Sequence, residues 1–297
     1  MASSGLLVGV DLGGTKVSAG VFAVDRKLFG QIATAPTRAD QPAEVTLAVI
    51  ESVIRQVLPE GSPLAVGVGS TGPVDSSTGR FHETTSLPHL FHYDLAAWVR
   101  DRFDAPLYLE NDANCFALGE ARQGAGAGHA SVVAVTLGTG FGCGIVLNGV
   151  MYSGVSGNAG EVAECPVAGG TFDRMCSGAG VRRFYERVRD ASTTLTARDI
   201  GNLAESGDRD ALAAWHSFGE AVGSALGTIA AVLDPSICVI GGSVSARLPL
   251  FREALETRLR AILAPEAARR IQIVPARLGA AAGVIGAAEY AWYRGGV

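Results

Sequence analysis

"VGVDLGGTK" (8–16) carries an apolar strand directly into an acid, two glycines, a hydroxyl and a lysine. Glycine lets a backbone approach a bulky anion and turn its N–H groups inward. Thr15 adds a hydroxyl donor and Lys16 a positive charge. Asp11 would repel phosphate unless a cation stood between them, which is how Mg2+ is commonly held. The stretch therefore reads as a phosphate-binding turn joining strands 6–10 and 16–22, with Asp11, Gly13, Gly14, Thr15 and Lys16 around the phosphates. A plain tight hairpin with a surface acid is the competing reading. Two familiar glycine patterns do not describe it. GxxxxGK[ST] fails because Thr15 precedes Lys16 and no helix follows; "GVGSTG" (67–72) has GxGxxG spacing but runs on into "PVD", where a helix N-terminus is needed.

The pattern returns later in the chain. "VAVTLGTGFGCGIVL" (133–147) lies over "VGVDLGGTKVSAGVF" (8–22) at a constant offset, with Val8/Val133, Val10/Val135, Leu12/Leu137, Gly13/Gly138 and Val21/Val146 coinciding. Gly138, Thr139 and Gly140 then form a second phosphate turn with Thr139 as its hydroxyl. Two half-molecules, each opening on such a hairpin, would set two glycine turns on one cleft. Between and after them, helical spacing over 43–58, 95–103, 113–124, most of 178–232, 250–263 and 279–292 alternates with strand-like runs at 64–70, 106–110, 236–242 and 271–276. That alternation predicts an α/β fold with covered sheets. The expected division is a small lobe over 1–112 and a larger one over 113–280, with the final helix (about 281–297) a candidate to pack back on the small lobe.

Apolar residues make up 48% of the 297 and charged residues 18%, which specifies a folded globular protein. A net charge of −5 without any Lys/Arg run argues against a nucleic-acid partner. The apolar runs are too short for a membrane span, and "MASSGLLVGVDLGG" has no basic region ahead of its apolar run, so no signal peptide is expected. Five scattered cysteines (Cys115, Cys143, Cys165, Cys176, Cys238) without a CxxC pair fit free thiols in a reducing cytoplasm.

DxGGTK at 11–16, GPVD at 72–75, ENDAN at 110–114, LGTGxGxG at 137–144, GxxGE at 157–161 and DPxxxVIGG at 234–242 follow the motif order of the ROK family, which the chain resembles over nearly its whole length. These are bacterial sugar kinases and related repressors of the actin/hexokinase-like superfamily. The resemblance implies a two-lobe, duplicated ribonuclease H-like α/β fold with a cleft between lobes. It also implies ATP with Mg2+ held at Asp11, phosphoryl transfer to the 6-hydroxyl of a hexose, and a homo-oligomer such as a dimer. Repressors of the family carry an N-terminal helix-turn-helix; ten residues before Asp11 are too few for one. A non-catalytic sugar sensor on the same scaffold is the second reading. An enzyme using polyphosphate is the third, for which a basic channel would be expected that the sequence does not display.

In "YLENDANCFALGEA" a strand ends at Glu110 and a helix begins near Ala113, with Asp112 at the junction. The resemblance makes Asp112 the catalytic base, Asn111 a partner for sugar hydroxyls and Gly72 a further member of the sugar-binding set. A helix N-cap is the alternative role for Asp112. "GNAGEVAECPVAGGTFDRMCSG" (157–178) departs from the family, whose kinases carry GExGH followed by a CxCGxxGCxE zinc loop. Here Glu161 stands at the Glu position, Glu164 at the His position and Asp173 where a second sugar-binding Glu would be. Cys165 and Cys176 lack His partners, so no structural zinc is expected. His89-x-x-His92 lies in a Pro-containing loop and reads as surface or core. The carboxylates of Asp112, Glu161, Glu164 and Asp173 can accept from the hydroxyls of glucose. The ammonium of an aminohexose such as glucosamine or kanosamine would answer the additional negative charge better, through charge-assisted hydrogen bonds. A Glu164 that merely bonds a hydroxyl or the rebuilt loop remains the other reading. In "VIGGSVS" (239–245), Gly241 and Gly242 would let adenine lie against bare backbone, while the small residues of 279–286 read as helix–sheet packing.

Overall fold

The computed structural model describes residues 5–82, 86–91 and 93–296. They form two units. The first comprises the chain up to Gly124, Ser153–Gly157 and everything from Ala280 onward. Its sheet is built from β1 (Leu7–Leu12), β2 (Lys16–Phe22), β3 (Leu28–Pro36), β4 (Ala65–Ser70) and β5 (Leu107–Asn111), in the order β3-β2-β1-β4-β5. Leu7, Val8, Val10 and Leu12 are all fully buried, the near-continuous apolar run of a strand covered on both faces. β1 runs antiparallel to β2 and parallel to β4, which is parallel to β5. The register pairs Asp11 with Gly69 and Ser70 with Asn111. The carboxyl ends of three parallel strands are therefore flush, the edge at which open α/β sheets bind ligands.

Gly9 and Gly67 are register partners. A Cβ on either would run into the backbone of the helix Ala282–Gly295, at the carbonyls of Val284 and Ala287. The helix therefore lies directly on the sheet, and two side chains have been given up to let it. Gly119 and Gly286 do the same between that helix and Asp112–Gln123, whose backbones they bring together. This close packing joins Asp112–Gln123 to the first unit, whose first segment runs to Gly124. The small residues of 279–286 include the ones that make this packing possible.

The second unit repeats the design. β6 (Ser131–Leu137), β7 (Phe141–Leu147), β8 (Val150–Met151), β9 (Ile237–Gly241) and β10 (Gln272–Pro275) follow the order β8-β7-β6-β9-β10 with the same polarities. Thr136 pairs with Gly241 as Asp11 pairs with Gly69. The constant offset of the two sequences holds along β1 and β6 but breaks at the turn. Val8 pairs with Val21, whereas Val133 pairs with Ile145, so Val21 corresponds to Ile145 and its match to Val146 is a coincidence of spelling. The second turn is one residue shorter, and a one-residue slip moves every later side chain to the other face. The core of this unit centres on Trp215, stacked on Phe251 at 5.7 Å and edge-on to Phe218 at 5.5 Å. All three sit on or against the helices Arg209–Leu233 and Leu248–Ile262.

Candidate active site

In the first unit the acids gather at the carboxyl edge of the sheet. Asp112 is the first residue of its helix, and the N-cap is Asn111, whose Oδ1 accepts from the N–H groups of Ala113 (2.8 Å) and Asn114 (3.3 Å). The capping duty considered for Asp112 thus falls to its neighbour. Asp112 Oδ1 accepts from the Ala113 N–H at 2.7 Å. Burial raises the Asp112 carboxyl above its ordinary value, against that backbone bond. Asp11 is pushed up to about 6, first by burial, then by the charge of Asp112, with Lys16 opposing. Asp11 therefore feels the charge of Asp112 across the strand ends. A pair of half-buried carboxylates in one field is a donor set that a hard divalent cation would relieve.

Glu110 holds this edge from beneath. It is 3% exposed and accepts from the Asn111 N–H (2.9 Å), Asn114 Nδ2 (3.0 Å) and Ser76 Oγ (3.0 Å). Gly72 lies against Asn111, where a Cβ would come within 2.9 Å of Nδ2. The turn at Gly13 and Gly14 is braced by buried Thr37. Its Oγ1 donates to the Gly13 carbonyl at 2.6 Å, and its N–H donates to that of Thr15 at 3.0 Å. The Gly13 N–H is spent within the turn on Lys16, whereas the side chains of Thr15 and Lys16 face solvent. Thr37 lies two strands away in sequence, and no spacing rule points to it.

In the second unit, the Gly138 N–H donates to the Gly140 carbonyl, and the Gly138 carbonyl accepts from the N–H of Gly178 at 2.9 Å. Asp173 Oδ1 accepts from the Phe141 N–H at 2.9 Å. One oxygen of Asp173, expected at the sugar, is thus engaged in bracing the turn at 138–140. A hollow of about 620 Å3 opens beside Gly138 and Thr139, walled by Gly178, Leu195, Val244 and Arg247. Gly242 adopts φ +84°, and a Cβ there would strike the backbone of Leu137. Buried Gly241 and strained Gly242 shape the chain, while Ser243 and Val244 after them face the hollow.

A second hollow of about 380 Å3 shares Thr139 and Ala179 with the first and is lined by Glu164, Asp173, Arg174 and Arg183. The Arg183 Nη1 donates to the Arg174 carbonyl at 2.7 Å. Two guanidinium groups thus line the same hollow as Glu164 and Asp173. Counting only the acids of the altered motif misses Arg174, which follows Asp173 within it, and Arg183, which the next helix (Gly178–Arg189) brings round. Glu161 is exposed in the same unit. Asp112 and Asn111 belong to the first unit; Glu161, Glu164 and Asp173 belong to the second.

Among the described residues, no group of three or more His, Cys, Asp or Glu side chains is placed to hold a metal ion. Cys165 is exposed and Cys176 buried, its thiol pushed up to about 12 by burial and by Asp173. His92 lies outside the described residues, so the His89–His92 pair has no structural account. No helix among the described residues is long and apolar enough to cross a membrane.

Comparison with known proteins gives these motifs a family context. The sequence model of the ROK family matches residues 7–293. The chain is 28% identical to a glucokinase of Thermotoga maritima, over 95% of this chain and 96% of that one. It is 32% identical to an N-acetyl-D-glucosamine kinase of Salmonella heidelberg, over 94% and 97%. A ROK family glucokinase from Streptomyces griseus, solved in complex with glucose and AMPPNP, superposes with a TM-score of 0.79 at 29% identity, over 96% and 98%.

Proposed function

This chain belongs to the ROK family, and we propose that it is an ATP-dependent hexose kinase in which Asp112 is the base. The observation that carries the proposal is the strand edge where Asp112 stands beside Asp11, released from capping by Asn111. The sugar hydroxyl attacks the γ-phosphorus of ATP, a new P–O bond forms as the bond to ADP breaks, and the hydroxyl proton passes to Asp112. Protein catalysis of this transfer is mainly positioning and charge stabilisation. A carboxylate whose proton affinity is raised by burial is the better acceptor.

Asp11 would hold the Mg2+ that accompanies ATP and neutralises charge on its phosphates. Gly13, Gly14, Thr15 and Lys16 of the first unit and Gly138, Thr139 and Gly140 of the second are assigned to the phosphates. The 620 Å3 hollow beyond Thr139 suits the nucleoside, with Leu195 and Val244 as apolar walls. Asn111, Gly72, Glu161, Glu164 and Asp173 are assigned to the sugar, and the 6-hydroxyl is the acceptor the family implies.

The relatives named glucokinase and N-acetyl-D-glucosamine kinase support a hexose or hexosamine substrate. Between glucose and a free aminohexose, the presence of Arg174 and Arg183 in the hollow with Glu164 favours the neutral sugar, since cations line it as well as acids. A sensing protein without activity would have no use for a buried base beside a phosphate turn, which disfavours that reading. The proposal is completed by a cytoplasmic homodimer that binds no nucleic acid. A coupled ADP-release assay over glucose, N-acetylglucosamine, glucosamine and kanosamine tests it. Turnover on at least one sugar is expected, with Glu164→Gln lowering kcat/KM for glucose and aminohexoses by the same factor. No turnover on any of them, with sugar binding intact, would favour the sensor.

A further inference from the structure

We propose that Gly283 is a positioning residue for Asp11: its missing side chain leaves the space in which the Asp11 carboxyl group stands. The inference rests on the assignment of Asp11 to the Mg2+ and phosphates of ATP. Gly283 is the second residue of the helix Ala282–Gly295, whose other glycine of the first turns, Gly286, serves backbone packing. The two are different in kind. A Cβ at Gly286 would strike the Cys115 carbonyl, a backbone atom that can move only with its helix. A Cβ at Gly283 would have Asp11 Cγ at 2.8 Å and the two carboxyl oxygens at 3.0 Å as its three nearest neighbours. All three belong to one side chain, and to its free end.

This geometry decides what yields. Cβ contacts below 3 Å are not sustained, and turning a short side chain costs less than displacing a helix that lies on Gly9 and Gly67. A methyl group at 283 would therefore drive the carboxyl of Asp11 out of its place and leave the fold as it is. Alanine is also the better helix former, so nothing local opposes it. Gly283 lies 272 positions from Asp11 in sequence, and the three atoms nearest its Cβ position all belong to the Asp11 side chain, so its effect runs through Asp11.

The test is a double-mutant cycle on the full chain with Gly283→Ala, Asp11→Ala and the double variant, using Gly286→Ala as the packing control. Gly283→Ala is expected to keep the parental melting temperature and far-UV spectrum. It should lower kcat/KM on the order of 100-fold, as a misplacement of about 1 Å can. It should also weaken binding of Mg2+ with AMPPNP in calorimetry. The double variant should be no worse than Asp11→Ala. Gly286→Ala should lose thermal stability instead. Parental activity and nucleotide binding in Gly283→Ala, a fall in melting temperature matching that of Gly286→Ala, or additive losses in the cycle would each overturn the inference. Parental activity in Asp11→Ala would instead sink the assignment of Asp11 itself, so the two failures are told apart.

Discussion

The two five-stranded sheets share order and polarity but not chemistry. At equivalent rungs of the ladder the first sheet pairs Asp11 with Gly69, and the second pairs Thr136 with Gly241. One rung row back, Gly9 and Gly67 of the first correspond to Ala134 and Val239 of the second. The first sheet thus gives up side chains so that a helix can lie on its strands, and keeps an acid at their end. The second retains normal packing residues and presents a neutral hydroxyl turn. Even the braces differ. Thr37 donates to the first turn with a neutral hydroxyl, whereas Asp173 accepts from the second with a carboxylate. Duplication supplied the frame twice, and function was divided by altering the residues at the strand ends.

Exchanging residues between the repeats tests that division. Gly67→Val, which borrows the residue of the second sheet, should abolish folding of the first unit. The side chain meets the Ala287 carbonyl, and such conflicts exceed about 4 kcal/mol. A soluble protein with parental thermal melting would contradict the packing account. Asp11→Thr, the second sheet's choice at that rung, should fold normally and lose on the order of 10³-fold in kcat/KM. Steady-state kinetics at saturating Mg2+ decide it, and a loss below tenfold would mean that the acid is dispensable.

A smaller effect is expected in the pH dependence of stability. Asp11 rises from an ordinary 3.8 to about 6 in the folded chain, so between those values the folded state binds more protons than the unfolded state. Its contribution to stability therefore falls as pH rises through about 4 to 6 and stays lost above that range. Asp11→Asn should flatten that fall in urea titrations and leave the parent's slope outside the window. The smallest change belongs to the braces. Removing the Thr37 hydroxyl (Thr37→Val) should cost about 1 kcal/mol, and Asp173→Ala slightly more because the lost acceptor is charged. Equal or inverted losses in chemical denaturation would show that the turns are not held in the way described.

Most elements were legible in the sequence because their periodicity is local; the edge strand Leu28–Pro36, largely exposed and without a Val-rich run, was not. The Val-rich runs, both glycine turns and the strand-to-helix junction at Asp112 all read directly from spacing. What could not be read was anything that depends on which segment lies opposite. Val21 matched Val146 by letter, yet the shorter second turn pairs Ile145 in its place. Asn111 took the cap from Asp112 because two candidate caps stood side by side, and only backbone geometry chooses between them. Thr37, Arg183 and Gly283 lie near these residues from segments whose local pattern signals nothing. The altered motif at 157–178 was legible as a departure, but which charges share one hollow with its acids was not, since Arg174 stands inside the motif and Arg183 arrives from the next helix.

The most direct test of the whole account is Asp112→Asn, assayed for turnover and for binding in the same preparation. Proton acceptance by a positioned group contributes roughly 10²–10⁴-fold. The account predicts a loss of kcat in that range, with affinities for sugar and for Mg2+ with AMPPNP close to those of the parent. An asparagine variant that turns over sugar within a few-fold of the parental rate would contradict it.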